Sequence, residues 1–237
     1  MKYRKLGNTG LKVSLVGLGC NNFGRGCDIE TTAKVVKAAL DQGVNFYDTA
    51  DVYGPAGLGE AFLAQTIAGL DRSQIIIASK FANPMGEGDL NRGASRRYIG
   101  HSNFSGWKIS DAHWTARSQN LYNLLDRRLE REVIPACEQY GIGILPYFLL
   151  ASGMLTGKYQ RGESAPQGTR LNAMGSRAAA AMSDANFHVV EKLKQFAEHR
   201  SKSLLDLAIS WLATKPVVSS FIAGVTSAQQ VNAISKR

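Results

Sequence analysis

Val44-Asn45-Phe46-Tyr47-Asp48-Thr49-Ala50-Asp51-Val52-Tyr53 decides how this chain is read. A short apolar strand ends in a carboxylate and passes directly into a loop carrying a tyrosine. Working outward, Ile75 to Lys80 is a second apolar strand that also ends in a charge, and Val13 to Gly19 is an earlier one that ends in glycines. Between these lie helical stretches. Asp28 can cap the first, whose apolar positions Ala33, Val36 and Leu40 share a face and which Gly43 stops; a second runs over about 58 to 69. The order β/α/β/α/β returns later, with Ile142 to Phe148 as a strand, helices through 184 to 214 and a strand over Val217 to Ala223. Strands apolar throughout, separated by amphipathic helices, imply a parallel sheet covered by helices.

The choice between an open sheet and a barrel rests on glycines. A dinucleotide-binding open sheet needs G-x-G-x-x-G after its first strand, and in GLGCNNFG from Gly17 the third glycine is replaced by Asn22. A β/α barrel is therefore the expectation, preceded by a hairpin that turns at Asn8-Thr9-Gly10. The middle of the chain falls short of eight strands. Between Lys80 and Gly100 there is a Gly-rich loop and an incipient helix, GASRRYI, but no strand beyond a short one near Tyr98 to His101. Helical stretches 107 to 119 and Leu124 to Tyr140 then follow one another with no strand between. A parallel barrel needs roughly 30 residues per strand and helix, so two units are expected to be lacking. The expectation is an α/β protein, a single-domain (β/α)8 TIM barrel over residues 1–237, with the region of strands four and six missing from the sequence at junctions 99/100 and 119/120.

Composition narrows the class. A chain of 237 residues, 44% of them hydrophobic, can bury one full core. Cys20, Cys27 and Cys137 offer neither a paired framework nor a C-x-x-C, so reduced thiols are expected, and no His/Cys/carboxylate spacing calls for a metal. The net charge of +9 is spread out, acids and bases mixing as in Asp126 to Glu132, which argues against a nucleic-acid partner and leaves a modest bias toward anionic ligands. The N-terminus MKYRKLGNTG has no apolar export signal and no run nears the ~20 apolar residues of a membrane span. A cytoplasmic protein without a membrane partner is expected.

In a β/α barrel the strand ends at one face build the site. Asp48, Tyr53 and Lys80 can thus meet. Carbonyl reduction needs a hydride on one side and a proton for the developing alkoxide on the other. A tyrosine, with an unperturbed pKa of about 10, serves as that acid when a cation sits beside it. Lys80 would be that cation, and Asp48 would keep it charged and aimed. Taken singly, each has a plainer reading: a turn acid, an interface aromatic, a surface cation.

YDTADVYG from Tyr47, IIIASKF ending near Lys80, GHSNFSGW from Gly100, PYFLLASGMLTGKY from Pro146 and IAGVTSAQQV from Ile222 resemble, in order and spacing, the aldo-keto reductases. The resemblance spans nearly the whole chain. It implies an eight-stranded barrel, NADPH as cofactor, and reduction of a small aldehyde or ketone. By position, Asp48, Tyr53 and Lys80 match three of the family's four catalytic residues, with Tyr53 as proton donor. Ser102 and Asn103 match the pair that binds the nicotinamide carboxamide, and Gln119 is read as the companion glutamine displaced to a junction. Tyr147 matches the aromatic stacked on the nicotinamide; Leu150 and Ser152 fall on the pyrophosphate loop. Gly224, Thr226 and Gln230 match the adenosine-phosphate site, where a helix N-terminus suits an anion, and Gly19 and Asn21 resemble cofactor-lining positions.

The departures are equally specific. The family's catalytic histidine ends its fourth strand, which has no counterpart here, and a single RYI stands where the family has two similar triplets. Ile234 replaces a usual asparagine, and the family's C-terminal segment is not present. Strand alternation leaves the direction of His101 undetermined, and His113, His188 and His199 sit on helical stretches. An alternative follows: a regulatory relative that binds cofactor or a protein partner without turnover.

Overall fold

The structure, a computed structural model, describes residues 1–80, 101–102 and 117–236, with residues 101, 102, 117 and 118 described by their backbone alone. Asn103, the 99/100 junction, the GASRRYI stretch, His113 and most of the expected 107 to 119 helix lie outside the described residues.

The chain opens with the expected hairpin, β1 (Tyr3–Lys5) antiparallel to β2 (Lys12–Ser14). Strands β3 (Val16–Gly19), β4 (Phe46–Asp48) and β5 (Ile76–Ala78) follow, with β9 (Phe221–Gly224) beside β3, in the parallel order β5-β4-β3-β9. A second parallel group is β6 (His101–Ser102), β7 (Arg117–Leu121) and β8 (Gly143–Tyr147). A parallel bridge from Ile144 to Val218 joins the two groups. Seven parallel strands therefore run in one order, β5-β4-β3-β9-β8-β7-β6, among the described residues.

That sheet curls into a barrel. β7 stands four steps from β4, which in a flat sheet would separate them by roughly 19 Å. Yet the Gln119 amide on β7 reaches the Asp48 carboxylate on β4 at 3.0 Å. Only a sheet closing on itself allows that contact.

Side-chain alternation divides the molecule into layers. Phe46, Ala78, Leu145 and Ile222 point inward and pack on Leu6 and Val13 of the hairpin, which plugs the floor of the barrel. Leu18, Tyr47, Phe221 and Ala223 point outward into the helix layer. Gly17 keeps the interior passable, because a Cβ there would stand 2.9 Å from Phe46 and from Ser220 Oγ. The hairpin is tied down by Arg4, whose guanidinium donates to the carbonyls of Ala213, Lys215 and Val218 at the end of helix α6 (Leu204–Ala213). A cation on helix C-terminal carbonyls also meets the negative end of the helix dipole.

Helix α1 (Ile29–Asp41) begins where expected, with Asp28 accepting from Thr31 N at 2.8 Å. Its buried face is one residue away from the expected one: Thr32, Val35, Val36 and Ala39 are inside, and Ala33 is exposed. The i, i+3, i+4, i+7 set containing two valines buries more apolar surface than one built on Ala33. The remaining helices are α2 (Leu58–Ile67), α3 (Val133–Tyr140), α4 (Arg170–Met174), α5 (Asp184–Glu198) and α7 (Ala228–Ser235).

The 119/120 position corrects an expectation. No strand was expected there, but β7 runs through it, pairing Arg117 to Leu121 with Gly143 to Tyr147 in parallel register. Its sequence, Arg-Ser-Gln-Asn-Leu, lacks the apolar signature of a buried strand, and its central inward residue, Gln119, meets the Asp48 carboxylate.

Below β7, Glu130 forms a hub. It accepts from Tyr122 Oη at 2.7 Å and from Arg127 Nη2 at 2.7 Å, with Lys215 Nζ at 3.6 Å. The Arg127 hydrogen bond, ahead of the Tyr122 bond and nearby cations, holds the carboxyl down at about 2. A depressed carboxyl stabilises the fold above the ordinary glutamate range, and that contribution is lost as pH falls toward about 2. Glu130→Gln is expected to flatten the dependence of the urea midpoint on pH across that acid window while changing it little at neutrality. Phe46→Ala, which empties the center of the floor layer, should cost about 3–5 kcal/mol in the same denaturation experiment.

Candidate active site

The site starts from the ends of β4 and β5. Register aligns Asp48 with Gly19 on one side and Ala78 on the other. Past the strand ends the pairing continues through Thr49 N to Ala78 O (2.7 Å) and Asp51 N to Lys80 O (3.1 Å). Lys80 is thereby fixed beside the loop that follows Asp48. Tyr53 is placed by a turn, its N–H donating to Ala50 O, and by Gly59 N at the start of α2, which donates to Tyr53 O.

The three side chains converge. Lys80 Nζ donates to Asp48 Oδ2 at 2.7 Å, to Thr49 O at 2.9 Å and to Tyr53 Oη at 3.2 Å. Asp48 is buried at 3% exposure, so its charge has left water and depends on the ammonium. Burial pulls the Lys80 pKa down, but Asp48 and Tyr53 outweigh it and hold the ammonium above the ordinary lysine range. The Tyr53 hydroxyl thus accepts a hydrogen bond from a charged ammonium that is itself held by Asp48. The Cys20 thiol below is driven well up, by burial first and then by Asp48, so it stays neutral.

The fourth member of the group is Gln119. Its Nε2 donates to Asp48 Oδ2 at 3.0 Å, and the assignment of nitrogen toward the carboxylate follows from chemistry, since a carboxylate only accepts. The sequence reading placed Gln119 on a cofactor; in the structure it lies against Asp48 from the opposite wall.

The other expected positions ring this center. Gly19 pairs with Gly224, and Asn21 stands over Gly224, its Oδ1 2.8 Å from where a Cβ would be. Thr226 N donates to Gln230 Oε1 at 2.8 Å, and both sit at the N-terminus of α7, which Ser227 caps. Ser102 lies on β6, paired with Gln119. Tyr147 ends β8 and meets Phe148 edge-on at 5.2 Å. Leu150 leads into the turn Ala151–Thr156, where Ala151, Ser152 and Gly153 have φ of 48°, 56° and 98°. The turn closes on itself, Ala151 N donating to Phe148 O and Gly153 N to Leu150 O, each at 2.8 Å.

Several residues escaped the sequence reading. Phe148, with φ 51°, carries the Arg170 guanidinium over its ring at 4.4 Å. Crowding of that guanidinium lowers its pKa, opposed by the nearby Tyr159 and Tyr53. Lys158 folds across Gly153. Neither Arg170 nor Lys158 has a carboxylate partner among the described residues. Asn123 ties the loops after β7 and β8 together by donating to Phe148 O at 2.9 Å. Arg170 and Lys158 follow a glycine-rich loop after a strand, the one sequence signal that marks them. Among the described residues no cluster of metal ligands occurs, and no helix is long and apolar enough to cross a membrane.

Lys80→Met removes the ion that offsets a buried carboxylate. It is expected to lower stability by about 3–5 kcal/mol at neutral pH, read by chemical denaturation, with the loss shrinking in acid as the orphaned carboxyl takes up a proton.

Comparison with known proteins places this arrangement. An uncharacterized oxidoreductase, YrpG, of Bacillus subtilis (strain 168) is 28% identical, the match covering 98% of this chain and 89% of the relative. A probable voltage-gated potassium channel subunit beta of Arabidopsis thaliana is 30% identical over the same shares. L-glyceraldehyde 3-phosphate reductase of Escherichia coli (strain K12) is 25% identical, covering 98% of this chain and 86% of that one. These alignments run over 298, 295 and 299 positions, more than this chain has residues, so the relatives carry internal sequence that it lacks. The model of the aldo/keto reductase family matches residues 15–97 and 95–236, two stretches that share residues 95–97. With nearly all of its length so matched, this chain belongs to the aldo/keto reductase family.

Proposed function

We propose that this protein is an NADPH-dependent oxidoreductase that reduces a small aldehyde or ketone to the alcohol. The observation that carries the reading is the contact of Lys80 Nζ with both Asp48 Oδ2 and Tyr53 Oη. Tyr53 gives its proton to the carbonyl oxygen as the alkoxide develops. Lys80 stabilises the phenolate left behind, and Asp48 keeps Lys80 charged and directed. The nicotinamide, when bound, supplies the hydride.

The residues present fit such a cofactor. Lys158, folded over Gly153 on the loop after β8, would supply a cation to a pyrophosphate. Thr226 and Gln230 at the capped start of α7 suit an adenosine phosphate. Tyr147 at the end of β8 offers a ring face, Gly19, Asn21 and Gly224 leave room along the barrel mouth, and Ser102 with Asn103 would take the carboxamide. The cations Lys158 and Arg170, neither with a carboxylate partner among the described residues, and the overall charge of +9 favour the phosphorylated dinucleotide. One relative is named for reducing a phosphorylated aldehyde, which supports a small carbonyl substrate.

A second reading rests on the relatives named as potassium channel subunits: a regulatory protein that binds the cofactor and turns it over slowly or not at all. NADPH oxidation with a panel of aldehydes separates the two, since binding without turnover selects the regulatory protein. For the reductase, Tyr53→Phe is expected to lower kcat by about 100-fold or more with cofactor affinity, followed by fluorescence titration, nearly unchanged. Retained turnover in that variant would remove Tyr53 as the proton donor.

A further inference from the structure

We infer that Gln119 is a positioning residue of the Asp48–Lys80–Tyr53 relay: from the opposite wall of the barrel, its amide pins Asp48 Oδ2, the oxygen that also receives Lys80. Three observations carry this. The amide and the ammonium reach the same oxygen, at 3.0 and 2.7 Å, so the oxygen's position is fixed from two directions. Gln119 and Asp48 are both buried, at 8% and 3% exposure, where an amide-to-carboxylate bond meets little competition from water. Gln119 itself is held at the middle of β7, paired with Ser102 on one side and Leu145 on the other, so it cannot follow a wandering carboxylate.

Without the amide, Asp48 Oδ2 keeps the ammonium but loses the restraint on carboxylate rotation, and Lys80 moves with it relative to Tyr53 Oη. The effect on proton transfer is then geometric. Among the described residues, the ionisable groups that face this carboxylate are Lys80, Tyr53 and Cys20, with Arg170 beyond Tyr53.

The test uses Gln119→Glu and Gln119→Leu in the full chain. Gln119→Glu sets a second carboxyl about 3 Å from Asp48, a pair that cannot both ionise at ordinary cost. Its carboxyl donates to Asp48 while protonated and repels it once ionised. Expected is a kcat on the order of 10- to 100-fold below the parent at pH 8, recovering as the pH is lowered, with Kd for NADPH little changed. Gln119→Leu should lose kcat at every pH without that recovery. The kinetic arm rests on the reductase reading, and the contact is tested apart from it. In the cofactor-free protein, the stability of Gln119→Glu relative to the parent should fall as pH rises from about 4.5 to 8, because a carboxyl with a raised folded-state pKa destabilises on ionising. A flat stability difference over that range overturns the inference. So does a Gln119→Leu variant that binds NADPH at least tenfold more weakly with kcat and its pH profile intact, which would make Gln119 a cofactor ligand alone. Absence of turnover in the parent, with the pH-dependent stability loss present, sinks the reductase reading while the Asp48 contact stands.

Discussion

The structure depends on a negative charge kept inside a barrel. Asp48 sits at 3% exposure, and an isolated carboxylate so placed would cost several kcal/mol. It is tolerated because β5 delivers an ammonium to it and β7 delivers an amide. Those two strands lie on opposite sides of β4 in the sheet order, one step away and four steps away. Satisfying the carboxylate therefore requires the sheet to curl, and the same contacts that neutralise the charge bring the phenol of Tyr53 within 3.2 Å of a cation. Chemistry and closure are set by one group.

The layers beneath explain how a polar center can be carried. The floor is built mainly of Leu6, Val13, Phe46, Leu145 and Ile222, and glycine at position 17 leaves room for Phe46, Ile222 and the Ser220 hydroxyl. The polar side chains begin only one inward position above, at Asp48. In a parallel barrel successive inward residues on a strand are two apart, so the change from Phe46 to Asp48 takes the interior from packed core to polar mouth in a single step.

Much of this was legible in the sequence, for reasons that also explain what was not. Strands β3, β4, β5, β8 and β9 carry apolar residues on both faces, because helices cover one and the floor layer the other, and such runs are readable without a partner. Strand β7 carries no such apolar run: its buried residues Gln119 and Asn120 are polar, and Gln119 reaches the Asp48 carboxylate. The triad was found because three unlike residues fell at adjacent strand ends. Gln119 was identified by resemblance, but its contact with Asp48 was not legible, since strand order alone does not say which walls meet across a barrel. Phe148 and Arg170 depend on a left-handed backbone at a non-glycine residue, which composition does not announce.

The Arg4 clamp bears on how the molecule is assembled. Its carbonyl partners lie 209 to 214 residues away, and the neighbouring pairing joins Val16 to Phe221. Both closures link strands early in the sequence to segments more than 200 residues later. Without residues 221–224, β3 keeps one unpaired edge, and without residues 213–218 Arg4 lacks its carbonyl partners. Contacts of such separation are slow to form and leave exposed edges while they wait. Closure of the barrel therefore waits on the most sequence-distant pairing described, that of β3 with β9.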